Sequence, residues 1–554
     1  MKMTKNNRLT PDGTSDKLFD ACTAETRITG QLGAIFEEAG FRRVRTPGLE
    51  FLSAFAESAQ YFPPEEMYKL TDSEGRLVAV RPDSTIPIAR LVATKLKGAD
   101  LPLSLYYAQS VYRRQPEHRG RDCEIMQMGV ELIGEAGFSA DVDMIDLAVR
   151  SLSSVCGGGF RIEVGHVGLY KRLMERLGAA DEVRERIQRY IVAKNYSALE
   201  DVLSFEGDRR TAGLIFRLPA LFGGASALEE AEALFSGYDE EVTGMLGYLG
   251  RVMGALKERG CAEHVMIDLG LVNQAEYYSS LVFKGYGENV GEPLLSGGRY
   301  DELLCDFGED MPATGFAINV DLLVEGALLS VASEFEAEEQ SVRPLRIALT
   351  KGRLEEGFMA LMERAGYDMG PLKDKGRKLI VGIADPEGGA GAAAEIFLAK
   401  APDVVTCVEH GVCDIGIVGK DTLLEQGGTF YEILDLGLGK CRFALAAPSG
   451  GAVARGAAPQ VVASKYPQYA GRYFERRGLD VTIIRIDGSV EIAPLLGLAD
   501  SIVDIVETGT TLRENGLEVV EYIRDVSARL VVNVSSMKLR KQEIEGFAAR
   551  LKGM

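Results

Sequence analysis

Residues 499–512 have the types and spacing of a phosphate-binding turn. Apolar side chains predict a buried strand, which leads into a turn and then into a helix that begins at Leu512. Backbone N–H groups at such a turn, with hydroxyls and a helix N-terminus, bind phosphate. Neighbouring carboxylates could hold ribose hydroxyls or a phosphate-bound Mg²⁺. The segment therefore predicts a phosphoribosyl pocket, and its residues are Asp504, Glu507, Thr508, Gly509, Thr510 and Thr511. The alternative is a capped helix after a core strand, because Thr and Asp are common caps.

Basic residues cluster at two other turns in the same half of the chain. Lys351 and Arg353 flank Gly352 directly after a predicted strand, where they could bind polyphosphate. Arg377 lies in a second basic cluster, 375–378. Taken alone, each cluster also fits a surface turn with solvated cations.

Two acidic residues also lie at the ends of predicted strands. Asp421 closes the run 409–421, and Glu491 lies in a strand-to-helix turn. Ligands of α/β sheets collect at such strand ends. For Glu491 the alternative is a structural acid that complements a helix dipole.

The composition excludes several classes of protein. The 554 residues are too many for one hydrophobic core. A net charge of −20 disfavours non-specific nucleic-acid binding. Eight cysteines without a CxxC pair, and only 4 histidines, argue against a disulfide framework or a structural zinc site. No apolar run could span a bilayer, so we expect a cytoplasmic protein without a membrane partner.

The order of patterns predicts a multidomain protein that combines α+β and α/β folds. Residues 331–344 are acidic and lack an apolar period, which predicts a solvated linker. Residues 1–330 predict an antiparallel sheet flanked by helices, including a helix over 17–39 and a strand over 277–283. Residues 345–554 alternate strand and helix, which predicts an α/β domain with parallel strands.

From residue 345 onward the chain resembles the short form of ATP phosphoribosyltransferase, an enzyme of histidine biosynthesis. The matching motifs are Lys351–Leu354, Arg377–Leu379, 408–421, Ser464–Tyr466, Gly488–Pro494 and Thr508–Leu512. The resemblance implies a two-lobed α/β fold like that of type II periplasmic binding proteins, with the active site in the cleft. The implied lobes are residues 345–438 plus 523–554, and residues 439–522.

The resemblance also implies a role for each motif. Asp504, Glu507 and the turn Thr508–Thr511 would hold the ribose 5-phosphate end of phosphoribosyl pyrophosphate. The residues at pyrophosphate or triphosphate would be Lys351, Arg353 and Arg377, the last across a dimer interface. The ATP contacts would be Asp421, Lys465 and Glu491. Cys407 stands where the family usually has Tyr, and the loop Ala384–Gly391 differs from the family.

The implied reaction needs no protein nucleophile. Adenine N1 of ATP displaces pyrophosphate at C1 of the ribose, so the ring carbon gains positive character and the leaving group gains negative charge. Positioning and charge stabilisation by Mg²⁺ and arginine would then dominate catalysis.

A second resemblance covers residues 10–325. The segment 111–131 predicts a hairpin whose alternation places Gln127, Gly129 and Glu131 on one sheet face, as a solvated row or a ligand floor. It resembles motif 2 of class II aminoacyl-tRNA synthetases, specifically histidyl-tRNA synthetase. The other matching segments are Arg81–Thr85, 275–278, Ser296–Asp301 and Thr314–Ile318.

The chain departs from that family at residues that contact ATP and the carboxylate of the histidine substrate. Asp321 and Leu322 stand at the Glu-Arg pair of motif 3, and Gln115, Cys123 and Asn273 replace a Glu and two Arg. Loss of the family's arginines would abolish the formation of the aminoacyl-adenylate, because no cation would neutralise the triphosphate and the carboxylate of the amino acid. The remainder resembles the regulatory subunit of ATP phosphoribosyltransferase, a synthetase paralogue that senses histidine. The implied histidine contacts are Asp83, Thr85, Arg113, Gln127, Glu131, Tyr277 and Tyr278, with Asp83 in place of the family's Glu.

Together the resemblances predict a regulator fused to a short-form catalytic domain, with ATP and phosphoribosyl pyrophosphate as substrates, Mg²⁺ as cofactor and histidine as feedback inhibitor. We expect a homo-oligomer, with a tetramer as the working hypothesis. Two alternatives stay open: a synthetase-like enzyme with an appended domain, and a non-catalytic sensor of histidine and nucleotide.

Overall fold

The computed structural model describes residues 10–56, 66–114, 122–192, 196–272, 277–288, 290–334, 343–384, 392–453 and 459–552. The chain divides into two compact units, Met1–Glu338 and Glu339–Met554. Most of the predicted linker, residues 335–342, lies outside the described residues. Its predicted start at residue 331 is too early, because the preceding helix continues to Glu334.

The first unit alternates long helices with strands of one large sheet. Its elements up to residue 166 are α1 Asp20–Glu38, β1 Arg42–Arg43, β2 Leu49–Phe51, α2 Ser53–Ala56, β3 Lys69–Thr71, β4 Leu77–Val80, α3 Thr85–Lys95, β5 Leu103–Tyr112, β6 Glu124–Ile133, α4 Phe138–Cys156 and β7 Phe160–His166. The remaining elements are α5 Val167–Leu177, α6 Asp181–Val192, α7 Tyr196–Leu203, α8 Arg209–Arg217, β8 Phe222–Gly223, α9 Ala225–Phe235, α10 Glu240–Glu258, β9 Val265–Asp268, β10 Leu281–Gly287, β11 Leu295–Arg299, β12 Ala313–Asn319 and α11 Val320–Glu334.

A nine-stranded sheet with the order β1-β5-β6-β12-β11-β10-β7-β9-β8 organises this unit. Its pairs are antiparallel except at β1 with β5 and β7 with β9, so the antiparallel prediction holds for most of the sheet. Helix α1 packs Ile28, Leu32 and Phe36 into the core, as expected for an amphipathic surface helix. A small antiparallel sheet, β2-β4-β3, lies apart from the large one.

The predicted hairpin 111–131 is present. Strands β5 and β6 pair antiparallel over their whole length, from Leu103 opposite Ile133 to Tyr112 opposite Glu124.

Two predicted element boundaries in this unit were wrong. The first helix begins at Asp20 and not at residue 17, and the strand predicted over 277–283 begins at Leu281. Residues 277–280 instead form the turn that leads into β10.

The second unit contains two sheets with helices between their strands. The elements up to residue 435 are β13 Leu345–Thr350, α12 Arg353–Arg364, α13 Gly370–Lys373, β14 Ile380–Ala384, β15 Ala392–Ala399, α14 Ala401–Glu409, β16 Ile415–Gly419, α15 Lys420–Gln426 and β17 Tyr431–Asp435. The later elements are β18 Cys441–Pro448, β19 Val461–Ser464, α16 Pro467–Glu475, β20 Thr482–Arg485, α17 Ile492–Leu495, β21 Ser501–Val506, α18 Thr510–Glu514, β22 Leu517–Val526, β23 Ala528–Val532, α19 Val534–Leu539 and α20 Lys541–Lys552.

The prediction of parallel strands was only partly correct for this unit. The six-stranded sheet β14-β15-β13-β16-β23-β17 and the five-stranded sheet β20-β19-β21-β18-β22 are both mixed. Strand β13 is parallel to β15 and β16, whereas β23 runs antiparallel to β16. The reason is that β23 enters the first sheet from the opposite direction, after the chain has returned from the second.

The two sheets define two lobes, and the chain crosses between them twice. The first crossing, 436–440, follows β17, and the second lies at Ser527, between β22 and β23. The predicted lobe boundary at residues 522–523 was therefore too early, because β22 stays in the five-stranded sheet to Val526.

Among the described helices, none has the length and apolar character to cross a membrane.

Candidate functional site

The first unit contains a cavity of about 350 Å³ over the face of strands β6 and β12. It brings together all of the predicted histidine contacts, and its walls include Asp83, Thr85, Arg113, Gln127, Glu131, Tyr277 and Tyr278. The alternation that placed Gln127 and Glu131 on one face thus leads to a cavity floor and not to a solvated row.

Asp83 is held by the start of α3. Its Oδ1 accepts hydrogen bonds from the backbone N–H groups of Thr85 at 2.7 Å and Ile86 at 3.2 Å. Arg113 Nη2 lies 3.7 Å from Asp83 Oδ2, and Arg113 Nε donates to the Pro82 carbonyl at 2.8 Å. Burial nevertheless raises the pKa of Asp83. A carboxylate fixed in this way can accept a ligand cation without side-chain rearrangement.

Glu131 is the deepest acid of the cavity, with 2% of its surface exposed. Thr85 Oγ1 donates to its Oε1 at 2.8 Å, and the Tyr300 hydroxyl donates to Oε2. Burial raises the pKa of Glu131 to about 8. A Cβ at Gly315 would overlap its carboxylate, so glycine is needed on the neighbouring strand. With a pKa of about 8, Glu131 is mainly protonated at neutral pH.

Aromatic rings form another wall. The Tyr277 and Tyr278 ring centroids are 4.6 Å apart, and the Tyr300 centroid is 5.9 Å from that of Tyr277. The sequence prediction omitted Tyr300 as a contact, although the motif Ser296–Asp301 contained it. It also missed Glu292, Ser296 and Asn319, which line the same cavity. The alternation of β11 and β12 could have indicated the last two.

Two positions that depart from the synthetase pattern contact the segment that precedes α1. Asp321 accepts from Lys17 Nζ through Oδ1 and from the Met126 N–H at 2.8 Å through Oδ2. The Cys123 N–H donates to the Gly13 carbonyl at 2.5 Å. Both carboxylate oxygens of Asp321 are thus bonded to groups of the protein. Gln115 and Asn273, the other departures, lie outside the described residues.

The second unit places the predicted phosphoribosyl turn at the end of β21. Gly509 has φ of 70°, which favours glycine because a Cβ is strained in this conformation. The Thr508 and Thr510 hydroxyl oxygens lie 3.1 Å apart, and Arg513 Nη2 donates to the Thr508 carbonyl at 3.3 Å. Thr508, Thr510 and Thr511 are exposed, so their hydroxyls are available to a ligand.

The helix after this turn is short and starts earlier than predicted. It begins at Thr510 and not at Leu512, it has 5 residues, and β22 follows it. A single turn sums few peptide dipoles, so the macrodipole contributes little here. Any phosphate at this turn would therefore be bound by the turn's own N–H groups and hydroxyls.

Asp504 lies at the centre of the predicted substrate residues. Burial raises the pKa of Asp504 to about 6, with Glu491 and Asp421 acting in the same direction and Lys465 opposing them. The predicted ATP contacts Asp421, Lys465 and Glu491, which come from three separate motifs, thus all act electrostatically on Asp504.

Arg353 reaches across the cleft between the lobes. Its Nη1 lies 2.5 Å from Glu507 Oε2, and both side chains are exposed, at 80% and 55%. Gly352, with φ of 91°, starts helix α12 immediately before Arg353. Lys351 and Arg377 are exposed in the turns after β13 and before β14. The ion pair links the basic motif to the phosphoribosyl turn.

Cys407, which replaces the family's Tyr, faces another thiol. It lies on α14, and a hydrogen bond with Cys413 lowers the pKa of Cys407 to about 7. The same contact raises the pKa of Cys413. The loop 385–391, most of the predicted family difference, lies outside the described residues.

Comparison with known proteins assigns each unit to a family. A family model described as histidyl-tRNA synthetase matches residues 13–323, and one described as ATP phosphoribosyltransferase matches residues 400–553. The chain is a fusion of a histidyl-tRNA synthetase family region with an ATP phosphoribosyltransferase domain. The second match begins at residue 400, so the assignment of 345–399 rests on β13 and β15 sharing a sheet with β16.

Individual relatives of the fusion match more than half of its length. The ATP phosphoribosyltransferase regulatory subunit of Clostridium botulinum is 38% identical over 318 residues, covering 57% of this chain and 75% of the relative. The protein with the same name from Bacillus cereus (strain ATCC 10987) is 36% identical over 326 residues, covering 58% and 77%.

Solved structures give a similar result. A Bacillus halodurans structure titled ATP phosphoribosyltransferase regulatory subunit/histidyl-tRNA synthetase has a TM-score of 0.53 and 29% identity, and covers 70% of the fusion and 92% of that chain. A histidine–tRNA ligase subunit from Alicyclobacillus acidocaldarius has a TM-score of 0.50 and 27% identity, with coverage of 58% and 98%. The class II synthetase-like fold of the first region is therefore confirmed.

Proposed function

We propose that the fusion transfers the phosphoribosyl group of phosphoribosyl pyrophosphate to ATP, and that histidine bound in the first unit inhibits the transfer. The observation that carries the catalytic half is the cluster around Asp504, where the phosphoribosyl turn, Arg353 and the ATP contacts meet. This domain also matches the ATP phosphoribosyltransferase model.

Different residues of the cluster bind the two ends of phosphoribosyl pyrophosphate. N–H groups and hydroxyls of the turn Thr508–Thr511 bind the 5-phosphate. Asp504, with a pKa of about 6, is mostly ionised at neutral pH and can accept hydrogen bonds from ribose hydroxyls. Arg353 leaves Glu507 and binds the pyrophosphate, whose charge grows as adenine N1 displaces it from C1.

A divalent cation fits this site only together with its substrate. Asp504 and Glu507 offer carboxylate oxygens at the turn, but no group of three or more metal-ligating side chains occurs among the described residues. Mg²⁺ would therefore be held mainly by phosphate oxygens, as is usual for nucleotide enzymes. When bound, it would neutralise charge on the leaving pyrophosphate.

The chemistry of the first cavity supports an amino-acid ligand with extra positive charge. Asp83, Glu131 and Glu292 supply carboxyl groups, and Arg113 supplies a guanidinium for a ligand carboxylate. The rings of Tyr277, Tyr278 and Tyr300 can pack against a flat imidazole. Histidine combines an ammonium, a carboxylate and such a ring, which makes it the ligand that we propose.

Two other functions remain testable. In a synthetase, the position of Leu322 would carry the arginine that binds ATP, whereas here the side chain is apolar and has no charge. We therefore expect no aminoacylation of tRNA. A non-catalytic sensor is disfavoured by the accessible turn and by Arg353.

The decisive test is the formation of phosphoribosyl-ATP from ATP, phosphoribosyl pyrophosphate and Mg²⁺ by the purified full chain. Turnover supports the proposal, and its absence, with nucleotide binding retained, supports the sensor. A homotetrameric, cytoplasmic enzyme is part of the same proposal, and light scattering measures its mass directly.

A further inference from the structure

Helix α15 joins the two lobes of the second unit. It has 7 residues and follows β16 of the six-stranded sheet. Its first N–H, from Lys420, donates to the carbonyl of Ser527, where the chain crosses between lobes, at 2.9 Å. From this crossing the helix extends to α16, which follows β19 of the other sheet. Its side chains can therefore act on the geometry of the cleft.

The N-terminus of α16 depends on a side chain from the other lobe. Its N-cap residue, Tyr466, makes no side-chain cap, and Pro467 has no N–H to donate. Glu425 on α15 fills this role, because its Oε1 accepts from the Gln468 N–H at 3.1 Å and its Oε2 from the Tyr469 N–H at 3.0 Å. The next N–H, of Ala470, bonds to Tyr466 within the helix.

Further bonds join the same two helices. The Tyr466 hydroxyl donates to Asp421 Oδ2 at 2.8 Å, and Arg472 Nη2 donates to the Leu424 carbonyl. Positions 421, 424 and 425 lie on one helix face, as the α-helical period requires. We call this set of contacts the α15–α16 clasp.

We propose that Glu425 is a positioning residue that sets the distance between the two halves of the ATP site. This inference rests on the proposed function above. Asp421 lies on α15, on one side of the clasp, whereas Lys465 directly precedes Tyr466 on the other side. Both are within electrostatic reach of Asp504. ATP contacts are thus contributed by both lobes, whereas the phosphoribosyl turn lies wholly within one.

The clasp therefore affects the two substrates unequally. Without Glu425, two N–H groups at the start of α16 lose their acceptor, and the hold of α16 on α15 weakens. The distance from Asp421 to Lys465 then varies, which weakens ATP binding. The turn Thr508–Thr511 keeps its geometry, because strand β21 and its sheet partners form it.

Two measurements on Glu425→Ala and Glu425→Gln test the inference. Hydrogen exchange without substrates should become faster in the peptide that covers 467–475. The Kd for ATP should rise about tenfold in Glu425→Ala, equivalent to ~1.4 kcal/mol, whereas the Kd for phosphoribosyl pyrophosphate should change less than about threefold. Glu425→Gln keeps one acceptor oxygen, so its Kd for ATP should lie between those of the wild type and the alanine variant.

The matched control is Glu475→Ala, which removes an exposed acid from the last residue of the same helix. It should change neither exchange nor affinity. Unchanged exchange in Glu425→Ala, or equal losses of affinity for both substrates, would overturn the inference. Hydrogen exchange and substrate binding are both measured without turnover. An inactive wild type would therefore refute the proposed reaction, whereas these two measurements would still test the role of Glu425.

Discussion

The two candidate sites differ in how they hold their carboxylates. In the first unit, Glu131 is buried, receives hydrogen bonds from two hydroxyls and has a pKa raised to about 8. In the second, Glu507 is exposed and pairs with Arg353 across an open cleft. An enclosed, pre-formed cavity suits the selective binding of a small effector. An open site with an exchangeable ion pair suits polyphosphate substrates that bring their own charge and metal.

The largest effect that we predict separates catalysis from effector binding. Asp504→Asn should lower kcat by a factor of about 10²–10³, as expected for loss of a group that acts at the reacting ribose. Histidine binding, measured by calorimetry, should be unchanged, because Asp504 belongs to the other unit. Asp525→Asn, at an exposed acid on β22, is the control and should retain activity. A normal kcat in Asp504→Asn would remove this residue from the reaction.

The converse substitution is Glu131→Gln. Glutamine has the shape of the protonated acid that a pKa of about 8 gives at neutral pH, so the fold should keep its melting temperature there. It cannot become negative when a cation binds, so the Kd for histidine should rise about ten- to hundredfold, as for a charged hydrogen bond of ~1.5–3 kcal/mol. Catalysis without histidine should be normal. Glu302→Gln, at an exposed acid of the same unit, controls for surface charge.

Proton release offers a finer test of the same cavity. If the ligand cation faces ionised Glu131, binding below pH 8 must expel its proton, so affinity should rise with pH up to about 8. Calorimetric enthalpies should then depend on the ionisation enthalpy of the buffer. The empty protein has the opposite dependence. Its Glu131 pKa is raised from the unfolded value of 4.5, so stability is lost as pH rises from about 4.5 to about 8. An enthalpy that is independent of buffer would contradict this account.

The smallest effect concerns the exposed ion pair of the cleft. Glu507→Gln should leave the melting temperature unchanged, because exposed pairs contribute little to stability. The substitution should free Arg353 for the incoming pyrophosphate and also remove a carboxylate from the turn. We therefore expect a change in the steady-state kinetic constants without a change in the melting temperature. Thermal melting together with steady-state kinetics tests this. A lower melting temperature would mean that the pair is structural.

Much of the cavity could be predicted because its residues follow short-range rules. Alternation along β6 placed Gln127 and Glu131 on one face, and the structure puts both on the floor of the cavity. Tyr300 was missed because its contact with Glu131 joins residues that lie far apart in the sequence. Glu425 was missed for the same reason, since its partners Gln468 and Tyr469 lie on a helix of the other lobe.

The errors in the second unit have a related origin. The alternation of strand and helix predicted an α/β unit with parallel strands, but β23 runs antiparallel to β16, and its direction depends on the route of the chain through the other sheet. The helix after the phosphoribosyl turn was predicted to begin at Leu512, yet it begins at Thr510 and ends at Glu514, before Gly516 and β22. Neither outcome is decided by local periodicity.

The central claim is that the first unit's cavity controls the second unit's reaction. The most direct measurement is the initial rate of phosphoribosyl-ATP formation as histidine is added, in the wild type and in Glu131→Gln. We predict that histidine inhibits the wild type, and that Glu131→Gln is equally fast without histidine but needs about ten- to hundredfold more of it for half-inhibition. Equal inhibition of both proteins, or no inhibition of the wild type, would contradict the account.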